Sequence, residues 1–153
     1  MNSPNTNLAL GHRLLQFGVL LFLIGLLTGF IVPMTENPRM GLSSHVEAVM
    51  NGTFLIVLGL VWPKILLTRT WSTVVFWLVL YATFANWIAT LLAAFWGAGV
   101  SMPIAAMGRQ GSALQESIIN VLLFSLSFAM VVVCLLVLWG LRAGIQGDRQ
   151  AVA

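Results

Sequence analysis

The chain has 153 residues, 59% of them hydrophobic and only 7% charged, with a formal net charge of +3. That balance lies outside the range of soluble domains, and the scatter of the seven basic residues excludes the clustered patch a nucleic acid needs. The single cysteine, Cys134, allows no intrachain disulfide, and no attachment motif for covalent c-type haem is present.

Residues 1–10 are polar, with Pro4 and several asparagines, and read as a short disordered tail. Four apolar runs follow, at residues 14–32, 44–62, 72–96 and 117–141. Each is close to the roughly 20 residues that carry a helix across a bilayer. The first is too long for a signal-peptide core and lacks a small-residue cleavage pattern, so it is expected to stay in the mature chain. Almost nothing is left over for a soluble domain. The expected fold is all-α, an integral membrane four-helix bundle forming one domain over residues 1–153.

The connections carry start and stop signals. Residues 33–43 contain two prolines and a glycine, which end the first helix. Ser44 with Glu47 three residues later fits a capping box, placing the start of helix two at Ser44, and Pro63 ends it. The second connection, 63–70, is short and basic. The third, 97–111, is the longest and is rich in Gly, Ser and Met. It reads either as a solvated outer loop or as a lid over a pocket near His45. Ser112 and Gln115 are placed to cap the last helix.

The basic residues act as topology signals. Arg13, Lys64, Arg69, Arg142 and Arg149 fall on one side, and Arg39 and Arg109 on the other. The positive-inside rule then puts both termini in the cytoplasm and His45 near the outer face. Trp62, Trp71 and Trp139 fall at the inner ends of their helices and Trp96 at an outer end, as interfacial belts require. Gly18, Gly25 and Gly29 in helix one and Gly52 and Gly59 in helix two form small-residue stripes that permit close helix contact. Gly52, seven residues after His45, has a second possible use, as room for a flat ligand.

Ionisable and amide side chains in a bilayer are functional-site candidates by default. His45, Glu47 and Asn51 stand in the first turns of helix two. Glu47 and Asn51 share a face, whereas His45 is rotated by about 120° from Asn51. One ligand touching both would straddle the helix or sit between two copies of the protein. Helix three carries Thr83, Asn86 and Thr90 on one face, with Trp87 beside them. Membrane threonines usually bond their own backbone, but a mid-helix amide such as Asn86 needs partners, either another helix or a substrate. His45 reads as an interfacial residue, a proton carrier or a metal ligand. Zinc fits poorly, because no set of three or four ligands is available. Haem needs only one axial histidine. His12 lies at the opposite end of the membrane, so such a haem would be five-coordinate within a protomer.

These residues carry a resemblance. Over about residues 11–142 the chain resembles the small membrane-bound hydroxylaminobenzene mutases. The specific segments are Asn-Pro-Arg-Met-Gly at 37–41, the His45 to Gly52 stretch, Ala-Asn-Trp-Ile-Ala-Thr-Leu-Leu-Ala-Ala-Phe-Trp-Gly-Ala-Gly at 85–99, and 102–105. The leucine-rich stretch at 21–29 agrees but is less specific. The reaction implied is an isomerisation, moving the hydroxyl of an aryl hydroxylamine from nitrogen to the ortho carbon to give a 2-aminophenol. More distantly the chain is similar to styrene oxide isomerases, trimeric four-helix membrane proteins that hold haem b between subunits. Their axial histidine and an asparagine six residues later match His45 and Asn51, and a polar residue of their third helix matches Asn86. Their active-site tyrosine falls at Thr90 and is missing; Tyr81, the only tyrosine, is on a different face.

The resemblance implies a haem-dependent mutase of the bacterial inner membrane, a homo-oligomer and specifically a trimer, acting on a small aromatic substrate. His45 would be the iron ligand and ferric iron the Lewis acid. Asn51 and Asn86 would be amide donors to the departing oxygen. Trp87, with Thr83 and Thr90 on the same stripe, would form the substrate wall. Glu47 is either a proton shuttle at the ring carbon or the helix cap, and the cap is the favoured role at this level. The alternatives are an epoxide-to-aldehyde isomerase, a small cytochrome b subunit, and a small multidrug transporter, which would need a membrane-embedded carboxylate.

Overall fold

The structure is a computed structural model that describes residues 4–152, with side chains described for residues 7–143. It is all-helical: α1 (Pro4–Ile31), α2 (Pro38–Val61), α3 (Arg69–Trp96), a one-turn α4 (Pro103–Ala106) and α5 (Ala113–Val152). Four of these, α1, α2, α3 and α5, contain stretches long and apolar enough to cross a membrane. The helices run past the apolar stretches read from the sequence. From Pro4 on, the expected tail is helix, with Pro4 in the first turn, where a missing N–H costs nothing; residues 1–3 lie outside the described residues. Helix two begins six residues before Ser44. Asn37 is its N-cap, with Oδ1 accepting from Met40 N at 3.2 Å, and Pro38 takes the first helical position. The Ser44–Glu47 capping box is therefore not formed, because both residues lie inside the helix. Ser112 and Gln115 do form a reciprocal capping box at the start of α5.

The glycine stripes bring α1 and α2 into backbone contact. A Cβ at Gly18 would lie 2.8 Å from Gly52 O, one at Gly25 would lie 2.9 Å from Val49 N, and one at Gly59 would lie 2.8 Å from Gly11 O. The same geometry excludes a ligand at Gly52, where a Cβ would meet Phe22 N at 2.6 Å; the space is occupied by α1. Trp62 is only 1% exposed and packs against Gly11, so it is a core residue and no interfacial anchor. Trp71 and Trp139 are exposed, as a belt requires.

The spans are arranged in series. α1 packs on α2, α2 on α3 and α3 on α5, with a lesser α1–α3 contact, while α1 and α5 do not meet among the described residues. The α1–α3 contact includes an edge-to-face Phe17–Phe84 pair and a hydrogen bond from Trp87 Nε1 to Thr28 Oγ1. At one end, Leu66 N bonds Gly140 O, and Gly140 packs against Ile65 and Leu67. At the other end, Asn37 N bonds Ala94 O and Glu116 holds the 97–111 connection. The spans thus alternate in direction. Because the atoms facing Gly52 are backbone, which cannot give way, Gly52→Ala is expected to cost about 1–3 kcal/mol of stability. Thermal unfolding of the detergent-purified variant measures this, and an unchanged midpoint would refute the close contact.

Candidate active site

The N-terminal half of α2 presents polar side chains to two different neighbours. His45 turns to α1: its Nδ1 lies 2.7 Å from Gly25 O. A carbonyl only accepts, so the neutral ring carries its proton on Nδ1 and its lone pair on Nε2. Nε2 has no hydrogen-bonding partner among the described residues. The ring fits here because Gly29 has no side chain; a Cβ there would stand 3.1 Å from Nδ1.

Glu47 and Asn51 turn to α3. Asn86 Nδ2 donates to Glu47 Oε2 at 2.5 Å, and Asn51 Nδ2 donates to Thr83 O at 3.4 Å. Ser44, between the two faces, is buried and donates to Trp87 O. The roughly 120° separation of His45 and Asn51 is therefore realised as two separate helix–helix contacts.

A cavity of about 410 Å³ opens beside Glu47. Arg39, Ser43 and Glu47 line it along one face of α2, Thr90 lines it from α3, and residues 101–105 roof it. The 97–111 connection does cover a pocket, but that pocket reaches Glu47 and not His45. Of the residues singled out from sequence, Glu47 and Thr90 line the cavity, Asn86 is joined to it through its bond to Glu47, and Asn51 lies one turn further along α2. Four do not. His45 and Gly52 face α1, Trp87 reaches Thr28 on α1, and buried Thr83 bonds Val79 O and Leu80 O. Thr90 likewise bonds its own helix, at Asn86 O and Trp87 O. Tyr81 faces α5, with its hydroxyl 2.6 Å from Ser125 Oγ. Arg39 and Ser43 carry no site signal in the sequence alone, because their four-residue spacing to Glu47 has meaning only once the helix starts at Pro38. The Asn37-Pro38 pair was the available signal.

A larger groove, about 660 Å³, runs along α3 near Arg69, Trp77 and Tyr81 at the opposite end. It holds no carboxylate, amide or imidazole and so offers little for proton chemistry. No group of three His, Cys, Asp or Glu side chains converges among the described residues. The donor set at His45 fits an axial haem ligand: the distal nitrogen is fixed by a carbonyl, as metal-bound histidines require, and Nε2 keeps its lone pair.

Comparison with known proteins places this geometry in a family. Residues 10–142 match the family model described as styrene oxide isomerase. The chain is 56% identical over 144 residues to hydroxylaminobenzene mutase HabB of Ectopseudomonas oleovorans, covering 94% of this chain and 88% of that protein. It is 45% identical over 125 residues to hydroxylaminobenzene mutase HabA of the same organism, covering 81% and 93% respectively. No solved structure matches. With so much of both chains shared, this protein belongs to the styrene oxide isomerase family and is an isomerase of the mutase type.

Proposed function

We propose that the protein rearranges an aryl hydroxylamine, hydroxylaminobenzene in the simplest case, to the 2-aminophenol. The observation that carries this reading is Glu47, which lines a roofed pocket and accepts from Asn86, in a chain 56% identical to a named mutase. The N–O bond breaks, a C–O bond forms at the ortho carbon, the ortho carbon loses one proton and nitrogen gains one. Atoms and electrons balance with no external reductant. Glu47 makes this proton transfer: Asn86 anchors Oε2 and leaves Oε1 to take the ring proton and return it to nitrogen. Asn51 and Asn86 supply amide donors toward the oxygen in transit. Epoxide isomerisation is the weaker reading, since Thr90 is engaged with its own helix and the only phenol, Tyr81, faces α5.

The proposal includes haem b held by His45. When bound, ferric haem supplies a Lewis acid for the N–O group. His45 and Glu47 serve different neighbours of α2, so a haem on His45 would belong to the pocket of an adjoining protomer. The protein is accordingly proposed to act as a homo-oligomer, a trimer by family resemblance. The open series of helices is compatible with such assembly. Arg13, Lys64, Arg69 and Arg142 all belong to one end of the bundle, which supports an inner-membrane orientation with the start of α1 and the end of α5 cytoplasmic.

Membranes containing the protein are expected to convert hydroxylaminobenzene to 2-aminophenol at neutral pH, followed by chromatography. Glu47→Gln is expected to lower kcat by about 10²–10⁴-fold; undiminished turnover would remove the carboxylate from the mechanism. Purified protein is expected to show a Soret band that His45→Ala abolishes, and a band unaffected by the substitution would reject His45 as the ligand.

A further inference from the structure

The 97–111 connection contains Gly97, Gly99, Gly108 and Gly111, with positive φ at Gly97, Met107 and Gly108. Such a segment is normally free to move, yet here a single side chain holds both of its ends. Glu116, buried in the first turn of α5, accepts from Gly99 N at 2.9 Å and Gly111 N at 2.9 Å through Oε1, and from Val100 N at 3.0 Å through Oε2. The middle is tied from the opposite side, where Asn37 Nδ2 donates to Ala105 O at 3.0 Å and Ala106 O at 3.3 Å. Ser101 is bonded to Asn120 of α5. Between these ties, residues 101–105 form the cover of the Glu47 cavity.

We propose that Glu116 is a positioning residue that makes this cover a fixed roof, and that the roof sets how large an aromatic ring system the pocket admits. Glu116 does not line the pocket, and its oxygens are engaged by backbone N–H groups, so it has no direct part in the chemistry. Its effect passes through Met102, Pro103 and Ile104, the apolar residues suspended between the ties. Ile104 is 80% exposed, so nothing packs over the roof there, while Met102 and Ala105 rest on the small core around Ala106. The substrate class rests on the mutase reading; the fixed roof rests on the hydrogen bonds alone.

Glu116→Gln tests this with a small change, retaining one acceptor oxygen and setting an NH₂ group against Val100 N. Turnover of hydroxylaminobenzene and of 1-hydroxylaminonaphthalene is compared in wild type, Glu116→Gln and Met102→Ala. Glu116→Gln is expected to raise KM for hydroxylaminobenzene about tenfold with kcat within about twofold, and to shift relative kcat/KM toward the bicyclic substrate. Met102→Ala, which leaves the ties intact, is expected to produce the same shift in selectivity. A folded Glu116→Gln protein with unchanged KM and selectivity, or one that loses kcat alone, would overturn the proposal. Should Glu116→Gln fail to fold, Met102→Ala decides: unchanged selectivity there overturns it. Absence of wild-type turnover would count against the mutase reading. The roof is then read by equilibrium dialysis with labelled aniline and 1-naphthylamine, where an unaltered preference in the variants overturns it.

Discussion

The backbone contact between α1 and α2 fixes the rotation of α2 about its own axis, and the functional directions of the molecule depend on that rotation. Gly18, Gly25, Gly52 and Gly59 leave no freedom to turn one helix against the other without a backbone clash. In lipid, where apolar burial gives helices little reason to associate, such close packing is a main source of specificity. With α2 fixed, His45 meets Gly25 O over Gly29, while Glu47 and Asn51 meet Asn86 and Thr83 on α3. A rotation of one residue position would move each of these side chains away from its partner.

The α2–α3 seam satisfies its polar groups by pairing them with one another and with helix carbonyls. An unpaired amide or carboxyl in this setting is costly, so each pair helps fix the seam. Glu47 lies where the seam opens into the cavity, so its carboxyl is accessible from that space. Glu116 is the contrasting case. The chain has few acids, and this one is enclosed by three backbone N–H groups and serves the architecture of the roof.

His45 and the Glu47 pocket are separated by the body of α2, although the two residues are neighbours in sequence. This separation means that a single ligand cannot reach both residues within one copy of the chain without passing around α2. The proposed haem on His45 and the proposed assembly of copies both rest on this separation. The series arrangement of α1, α2, α3 and α5 leaves long apolar faces that lipid or another copy can cover.

Composition and periodicity by themselves determined the four spans, their alternation, the glycine contact and the divergence of His45 from Asn51, because these depend on helix geometry and on the thickness of a bilayer. They also picked out Glu47, Asn86 and Thr90, since polar residues are rare in such runs. The start of α2 was legible in Asn37-Pro38 but was obscured by the stronger-looking Ser44–Glu47 spacing, which a helix interior shares with a cap. Only the tertiary structure decided that Glu47 pairs with Asn86, that Trp87 reaches α1, that Gly52 is filled by Phe22, and that Glu116 ties down the roof. Those outcomes depend on which helices are neighbours and how they are rotated, and a pattern along one chain carries the period of each helix but not its partner.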